Sequence, residues 1–159
     1  MQTRQQPPAG DGGAGPSALR VDATRQLVVY TFGKKHRLLD EPRSCDLTFD
    51  LTSFHTEYNQ RDSSREDGRS EAVQQSMRSH PGFDALMASV VAAIERREPK
   101  AVAFMCVWGK HRSVAWAEIL KRDHYPHATI KHVRLAALDP LAAAANAERA
   151  ARKGLVDLL

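Results

Sequence analysis

The chain has 159 residues, of which 42% are apolar, and this length fits one folded domain with its own core. No apolar run approaches the roughly 18 residues of a membrane-spanning helix, and the first residues lack the apolar stretch of a secretory signal. The net charge is +4, yet residues 100–134 contain seven Lys or Arg against two acidic residues, a balance of +5. This basic stretch favours anionic partners such as nucleic acid or phosphorylated small molecules, with a solvated basic face as the alternative.

The two cysteines, Cys45 and Cys106, lie in very different sequence contexts. A structural disulfide is therefore not expected, and a reducing, cytoplasmic location is the simpler expectation. Seven histidines are present, but none stands at a recognised metal-ligand spacing beside a cysteine or a carboxylate. The sequence predicts neither a metal site nor a cofactor.

The first residues differ in composition from the rest of the chain. Residues 1–25 are rich in Gln, Pro, Gly and Ala without apolar periodicity, which indicates a disordered tail before a folded domain at 26–159. The β-branched and aromatic run at 27–32 (LVVYTF) predicts a strand. This strand leads directly into a basic turn at 33–37 (GKKHR).

The middle of the chain contains a second strand, a polar stretch and two helices. Alternating polarity at 46–51 (DLTFDL) predicts the strand, and the polar residues 54–69 predict a mobile loop. A weak helix is expected at 70–79. The clearest helix is predicted at 83–97, where apolar residues recur at three- and four-residue spacing before Pro99.

The last third continues the alternation of strands and helices. The apolar run at 101–107 (AVAFMCV) is typical of a strand buried on both faces. A helix is predicted at 111–123, a strand at 128–135 and an Ala-rich helix at 138–159. This order of elements predicts a single three-layer α/β domain with a mixed, largely parallel central sheet.

The loop at 106–113 (CVWGKHRS) joins the predicted buried strand to the following helix. Ligands of open α/β sheets bind beyond the carboxyl ends of the strands, where backbone N–H groups and the helix dipole attract anions. Gly109 permits close backbone approach, and Arg112 can clamp two phosphate oxygens. Trp108 either stacks on a base or sugar or covers the loop, and covering is the preferred expectation. A tight turn whose basic residues only face water is the alternative to a phosphate site. The residues predicted to bind phosphate in this loop are Cys106, Gly109, Lys110, His111, Arg112 and Ser113.

The spacing C-x-x-G-x-x-R-S in this loop resembles the signature loop of cysteine-dependent phosphatases. That resemblance implies Cys106 as a thiolate nucleophile and Arg112 as the phosphate clamp. Met105 stands where these phosphatases carry a histidine, and no acidic residue stands out as the general acid. A phosphatase that uses Cys106 is therefore the alternative function.

A second resemblance extends over residues 27–134 and rests on motifs that occur in order along the chain. They are Phe32-Gly33 with Lys35-His36, then Asp46, Phe49 and Asp50, His55, Gly82 and Asp84, the run from Gly109 to Val114 with Ala117-Glu118, and His132 with Arg134. In this order they resemble the C-terminal domain of the RapZ family of RNase adapter proteins. The resemblance implies a regulatory domain rather than an enzyme.

The resemblance to the RapZ domain also implies partners and further site residues. The implied partners are a phosphorylated sugar or nucleotide and RNA. No membrane is expected as a partner, and the sequence leaves open whether the chain forms a homo-oligomer. The Ala-rich residues 138–159 stand where family members carry a basic tail for RNA contact, so phosphate binding is the stronger expectation. The residues expected to flank the phosphate site are Lys35, His36, Asp50 and His55. The residues expected to contact RNA are Lys34, Lys35, Lys110, Arg112, Lys131, His132 and Arg134.

Overall fold

A computed structural model of the protein describes residues 20–42, 44–56 and 66–139. Within these ranges, four strands alternate with helices, and a 3-10 turn at Lys34–His36 follows the first strand. In chain order the elements are β1 (Val28–Gly33), α1 (Arg37–Asp40), β2 (Leu47–Asp50), α2 (Glu71–Arg78), α3 (Phe83–Arg97), β3 (Ala101–Cys106), α4 (Arg112–Asp123), β4 (Thr129–His132) and α5 (Val133–Leu138).

The four strands form one sheet in the order β2-β3-β1-β4. All three strand pairings are parallel, which confirms the predicted α/β domain but not the mixed sheet. Parallel strands need long crossovers, and here helices provide them between β2 and β3 and between β3 and β4. The register pairs Gly33 with Cys106, Asp50 with Met105, and Thr31 with His132. The carboxyl ends of all four strands therefore lie along one edge of the sheet, called here the carboxyl edge.

The larger core lies between one face of the sheet and the helices α2, α3 and α4. Trp116 of α4 is fully buried there, with its ring centroid 4.8 Å from that of Phe83 and 5.2 Å from that of Phe54. Because side chains alternate along a strand, Phe104 packs in this core, whereas Met105 joins a smaller cluster on the opposite face. The predicted burial of β3 on both faces is confirmed.

The predicted strand at 128–135 is wrong in its second half. β4 ends at His132, and the helix α5 begins at Val133. β4 pairs with β1 in a register that stops at Thr31 and His132, and just beyond, β1 gives way to the 3-10 turn. The following residues, VRLAAL, are mostly strong helix formers, so the chain turns helical once the ladder ends. The predicted Ala-rich helix at 138–159 lies outside the described residues from position 140 onward.

Two further expectations fall partly outside the described residues. Of the predicted tail at 1–25, residues 1–19 are outside, and of the predicted loop at 54–69, residues 57–65 are outside. At the described end of the tail, Arg25 Nη2 lies 3.2 Å from the Glu95 carboxylate on α3. The predicted basic turn at 33–37 is helical, because the 3-10 turn runs into α1. In the described part of the chain, no helix is both long and apolar enough to cross a membrane.

Candidate functional site

Two chain segments with basic residues meet at the carboxyl edge of the sheet. β3 ends at Cys106 and continues into the loop that precedes α4, while the neighbouring strand β1 ends at Gly33 and continues into Lys34–His36. The Lys35 amide donates to the Val107 carbonyl oxygen over 3.1 Å, which ties the two connections together. The parallel register therefore brings the predicted residues Lys35 and His36 beside the predicted 106–113 loop.

Two glycines let the backbones of these connections pack directly on each other. Gly109 has φ +72°, in the left-handed region that favours glycine. A Cβ on Gly109 would lie 2.6 Å from the carbonyl carbon of Phe32, and a Cβ on Gly33 would lie 2.6 Å from the carbonyl carbon and oxygen of Trp108. Neither side has room for a methyl group, so the relative position of the two loops is tightly defined.

A third glycine, which the sequence did not single out, joins this arrangement from residues 66–69. A Cβ on Gly68 would lie 2.6 Å from Val114 Cβ and would also collide with the first turn of α4. The Gly68 amide donates to the Lys110 carbonyl oxygen over 2.9 Å, and His111 Nε2 donates to the Glu66 carbonyl oxygen over 3.0 Å. Residues 66–69, at the end of the predicted mobile loop, are thus packed against the 106–113 loop.

The Cys106 thiol lies beneath the loop rather than at its surface. Cys106 is 2% exposed, and its Sγ accepts from the Gly109 amide at 3.2 Å. Sγ is also 3.2 Å from Oγ of the fully buried Ser113. The thiol helps to hold the loop closed at its base.

The Arg112 guanidinium anchors the chain that follows β2. Its Nη1 donates to the carbonyl oxygens of Leu51, Thr52 and Phe54 at 2.9, 2.8 and 2.8 Å. Charged donors make strong hydrogen bonds, so this partly buried side chain fixes the segment 51–54 against α4. Arg112 therefore stabilises the position of the 51–54 segment, and its role as a phosphate clamp stays a prediction.

Asp50 lies at the carboxyl end of β2, among the basic residues of the same edge. Its Oδ1 accepts from the Thr52 amide over 2.8 Å, as in a local turn cap. Burial raises the pKa of the Asp50 carboxyl, but the hydrogen bonds from Thr52 and the nearby charges of Lys34 and Arg112 outweigh it and hold the pKa below its ordinary value. Asp50 is therefore ionised at neutral pH and offsets part of the positive charge.

A hydrogen-bond network surrounds His132, and no motif in the sequence predicts it. Its Nδ1 lies 2.9 Å from Thr31 Oγ1, and its Nε2 lies 2.8 Å from Oε1 of Glu118 on α4. The hydrogen bond from His132 lowers the pKa of the Glu118 carboxyl despite burial. Both ring nitrogens of His132 are occupied by these contacts. Nothing in the spacing of 31, 118 and 132 signals the network, because it forms across three elements.

The remaining predicted residues do not all join the carboxyl edge. Lys131 lies on the face of the sheet that carries the smaller cluster, opposite the larger core. Its Nζ is 5.4 Å from the ring of Tyr30, a residue that packs on that cluster. Arg134 is partly buried on α5, and His55 is exposed just after Phe54. Among the described residues, no group of three or more metal-ligating side chains is arranged to hold a metal ion.

The fold is an α/β domain with an all-parallel sheet, a class in which ligand sites lie beyond the carboxyl ends of the strands. The family model of the RapZ C-terminal domain matches residues 25–136, and the chain belongs to that family. The resemblance seen in the sequence is confirmed. At the level of the family, membership supports a regulatory module that binds a nucleotide or a phosphorylated sugar. No curated protein matches the sequence closely enough to count as a relative.

Proposed function

We propose that this domain is a regulatory module that binds a phosphorylated sugar or nucleotide through its phosphate at the carboxyl edge of the sheet. The observation that carries the proposal is the backbone packing of Gly33 against Gly109. This packing brings the basic turn Lys34–His36 beside Lys110, His111 and Arg112. Two basic segments on rigid neighbouring loops form a site whose geometry exists before the ligand arrives, which lowers the ordering cost of binding.

The start of α4 supports the same position for the phosphate. The helix has no acidic residue in its first turn. The amide groups at a helix start and the positive end of the helix dipole both favour an anion. Lys34 and Lys110 supply full charges on either side, while Arg112 contributes charge from its anchored position.

The proposal predicts that charge at Lys34 and Lys110 decides affinity for phosphate-bearing ligands. Each of Lys34→Gln and Lys110→Gln should weaken the binding of a hexosamine phosphate by roughly tenfold, because a charged hydrogen bond to phosphate is worth about 1.5–3 kcal/mol. The measurement is isothermal titration calorimetry, with the unphosphorylated sugar as a second ligand. The unphosphorylated sugar should bind far more weakly to the wild-type protein.

Lys100→Gln is the matched control for this experiment. Lys100 is exposed and directly precedes β3, so it lies at the opposite edge of the sheet. Its substitution should leave affinity unchanged. Equal losses in all three variants would indicate a general charge effect, and equal binding of the sugar with and without phosphate would refute the proposal. If RNA binds at the same edge, Lys34→Gln and Lys110→Gln should weaken its binding and Lys100→Gln should not. Its affinity should also fall steeply with rising salt.

A cysteine phosphatase is the second candidate, and the hydrogen bonds of the Cys106 sulfur to Gly109 and Ser113 favour it. The contacts of Arg112 with the 51–54 carbonyls oppose it, because that nitrogen faces the protein backbone. We expect no turnover of a generic aryl phosphate by the wild-type protein. If the wild-type protein hydrolyses the aryl phosphate, and Cys106→Ser abolishes this turnover but retains phosphate binding, the protein is a cysteine phosphatase and not a binding module.

A further inference from the structure

Trp108 exposes a large aromatic surface at the edge of the proposed phosphate site. The residue is 50% exposed, whereas the other tryptophan of the chain, Trp116, is fully buried. The exposed half of this indole gains nothing from burial within its own domain, so this surface is available to a ligand. Indole rings combine a large flat apolar face with a low ordering cost, which suits them for binding ligands.

The position of this indole is set by its backbone. Trp108 precedes Gly109, which has positive φ, and its carbonyl group packs against Gly33 so closely that a Cβ on that glycine would collide with it. The flanking residue Val107 accepts the Lys35 amide hydrogen bond. The main chain that carries the ring is thus held from both sides, which fixes the point from which the indole projects.

Two basic side chains lie beside the Trp108 ring. Lys35 Nζ lies 3.7 Å from the centroid of the Trp108 ring, which is a close cation–π contact. The His36 ring centroid is 6.2 Å away at an interplanar angle of 44°. The same two residues belong to the basic turn of the proposed phosphate site. A ligand that satisfies this arrangement has an anionic group and, within a few bonds, a flat ring.

We infer that Trp108 stacks on the nucleobase of a phosphate-bearing nucleotide, whether free or part of a single RNA strand. The inference rests on the proposed function and narrows its ligand from phosphorylated compounds in general to nucleotides. The face of the Trp108 ring opposite Lys35 takes the base, and the cationic turn takes the phosphate. Stacking of a base on an aromatic side chain is worth about 1–3 kcal/mol and does not depend on which base is present.

Fluorescence tests this inference directly, because Trp108 is the accessible one of the two tryptophans. AMP should quench Trp108 emission and bind roughly tenfold more tightly than ribose 5-phosphate, which lacks the base. Measured by isothermal titration calorimetry, which does not need the indole, Trp108→Ala should bring the two affinities together by weakening AMP alone. Trp108→Phe keeps an aromatic face and should retain most of the preference for AMP, and the buried Trp116 serves as the internal reference for folding.

The outcomes separate this inference from the proposed function. Equal binding of AMP, ribose 5-phosphate and inorganic phosphate would overturn the stacking of a base while leaving the phosphate site intact. An equal loss of both ligands in Trp108→Ala would overturn it in the same way. A lack of binding by all three would overturn both. If a short oligoadenylate binds more tightly than AMP with the same dependence on Trp108, the stacked base belongs to RNA; if AMP binds as tightly, it belongs to a free nucleotide.

Discussion

Replacing Gly109 by alanine should destabilise the domain by about 3 kcal/mol and lower its Tm by roughly 10 °C. The left-handed backbone at φ +72° disfavours any residue with a Cβ. The added methyl group would also meet backbone atoms of Phe32 and Gly33, which cannot move aside as a flexible side chain can. Because Gly109 links β1 to the α4 loop, ligand binding should fall together with stability.

Gly82→Ala is the matched control for the Gly109 substitution. Gly82 precedes α3 at φ −88°, and the nearest atom to its added Cβ would be a side-chain atom of His80 at 3.3 Å. We expect a change in stability below about 1 kcal/mol there. Thermal denaturation followed by circular dichroism measures both variants. Similar Tm values for Gly109→Ala and the wild type would mean that the two loops are not packed as described.

Replacing Arg112 by alanine should cost about 3 kcal/mol, because it leaves three backbone carbonyl groups of the 51–54 segment without their charged donor. Arg112→Lys should recover only part of this loss, since an ammonium group does not reproduce the geometry of a guanidinium. Urea denaturation provides the free energy of unfolding for both variants. The loss should appear without any ligand present.

Arg37→Ala is the control for the Arg112 substitution. Its side chain is 60% exposed and pairs with Glu41 one helical turn away, so its removal should leave the stability almost unchanged. If Arg112→Ala unfolds at the same urea concentration as the wild type yet loses ligand affinity, Arg112 acts as the phosphate clamp and not as an anchor. Until that is known, Lys34 and Lys110 are the cleaner positions for testing ligand binding.

Local patterns in the sequence were enough to predict most of the elements that build the site. The helix at 83–97 is confirmed residue for residue, because its apolar periodicity is regular and Pro99 follows it. The buried strand β3 was recognisable because a strand covered on both faces needs apolar residues throughout. The parallel register of this strand with β1 then brings Gly33 beside Cys106. The meeting of the two basic loops follows from these local features.

Contacts between distant segments could not be predicted in the same way. The collision that a Cβ on Gly68 would cause with α4 depends on how the chain returns after residues 57–65, and no spacing encodes that path. The direction of the Arg112 guanidinium depends on where the 51–54 carbonyls lie, although its position in the motif suggested a ligand. The sequence left open whether Trp108 stacks on a base or sugar or covers the loop, because how much of its surface is exposed depends on the packing of Lys35 and His36 against its ring.

The central claim, a phosphate site at the carboxyl edge, is tested most directly by backbone amide NMR shifts during titration with a hexosamine phosphate. Amides of residues 33–36 and 107–113 should shift together and saturate with one affinity. Amides at the opposite edge, such as those of Lys100 and Thr129, should remain where they are. Shifts centred on the opposite edge, or spread evenly over the basic surface, would contradict the account.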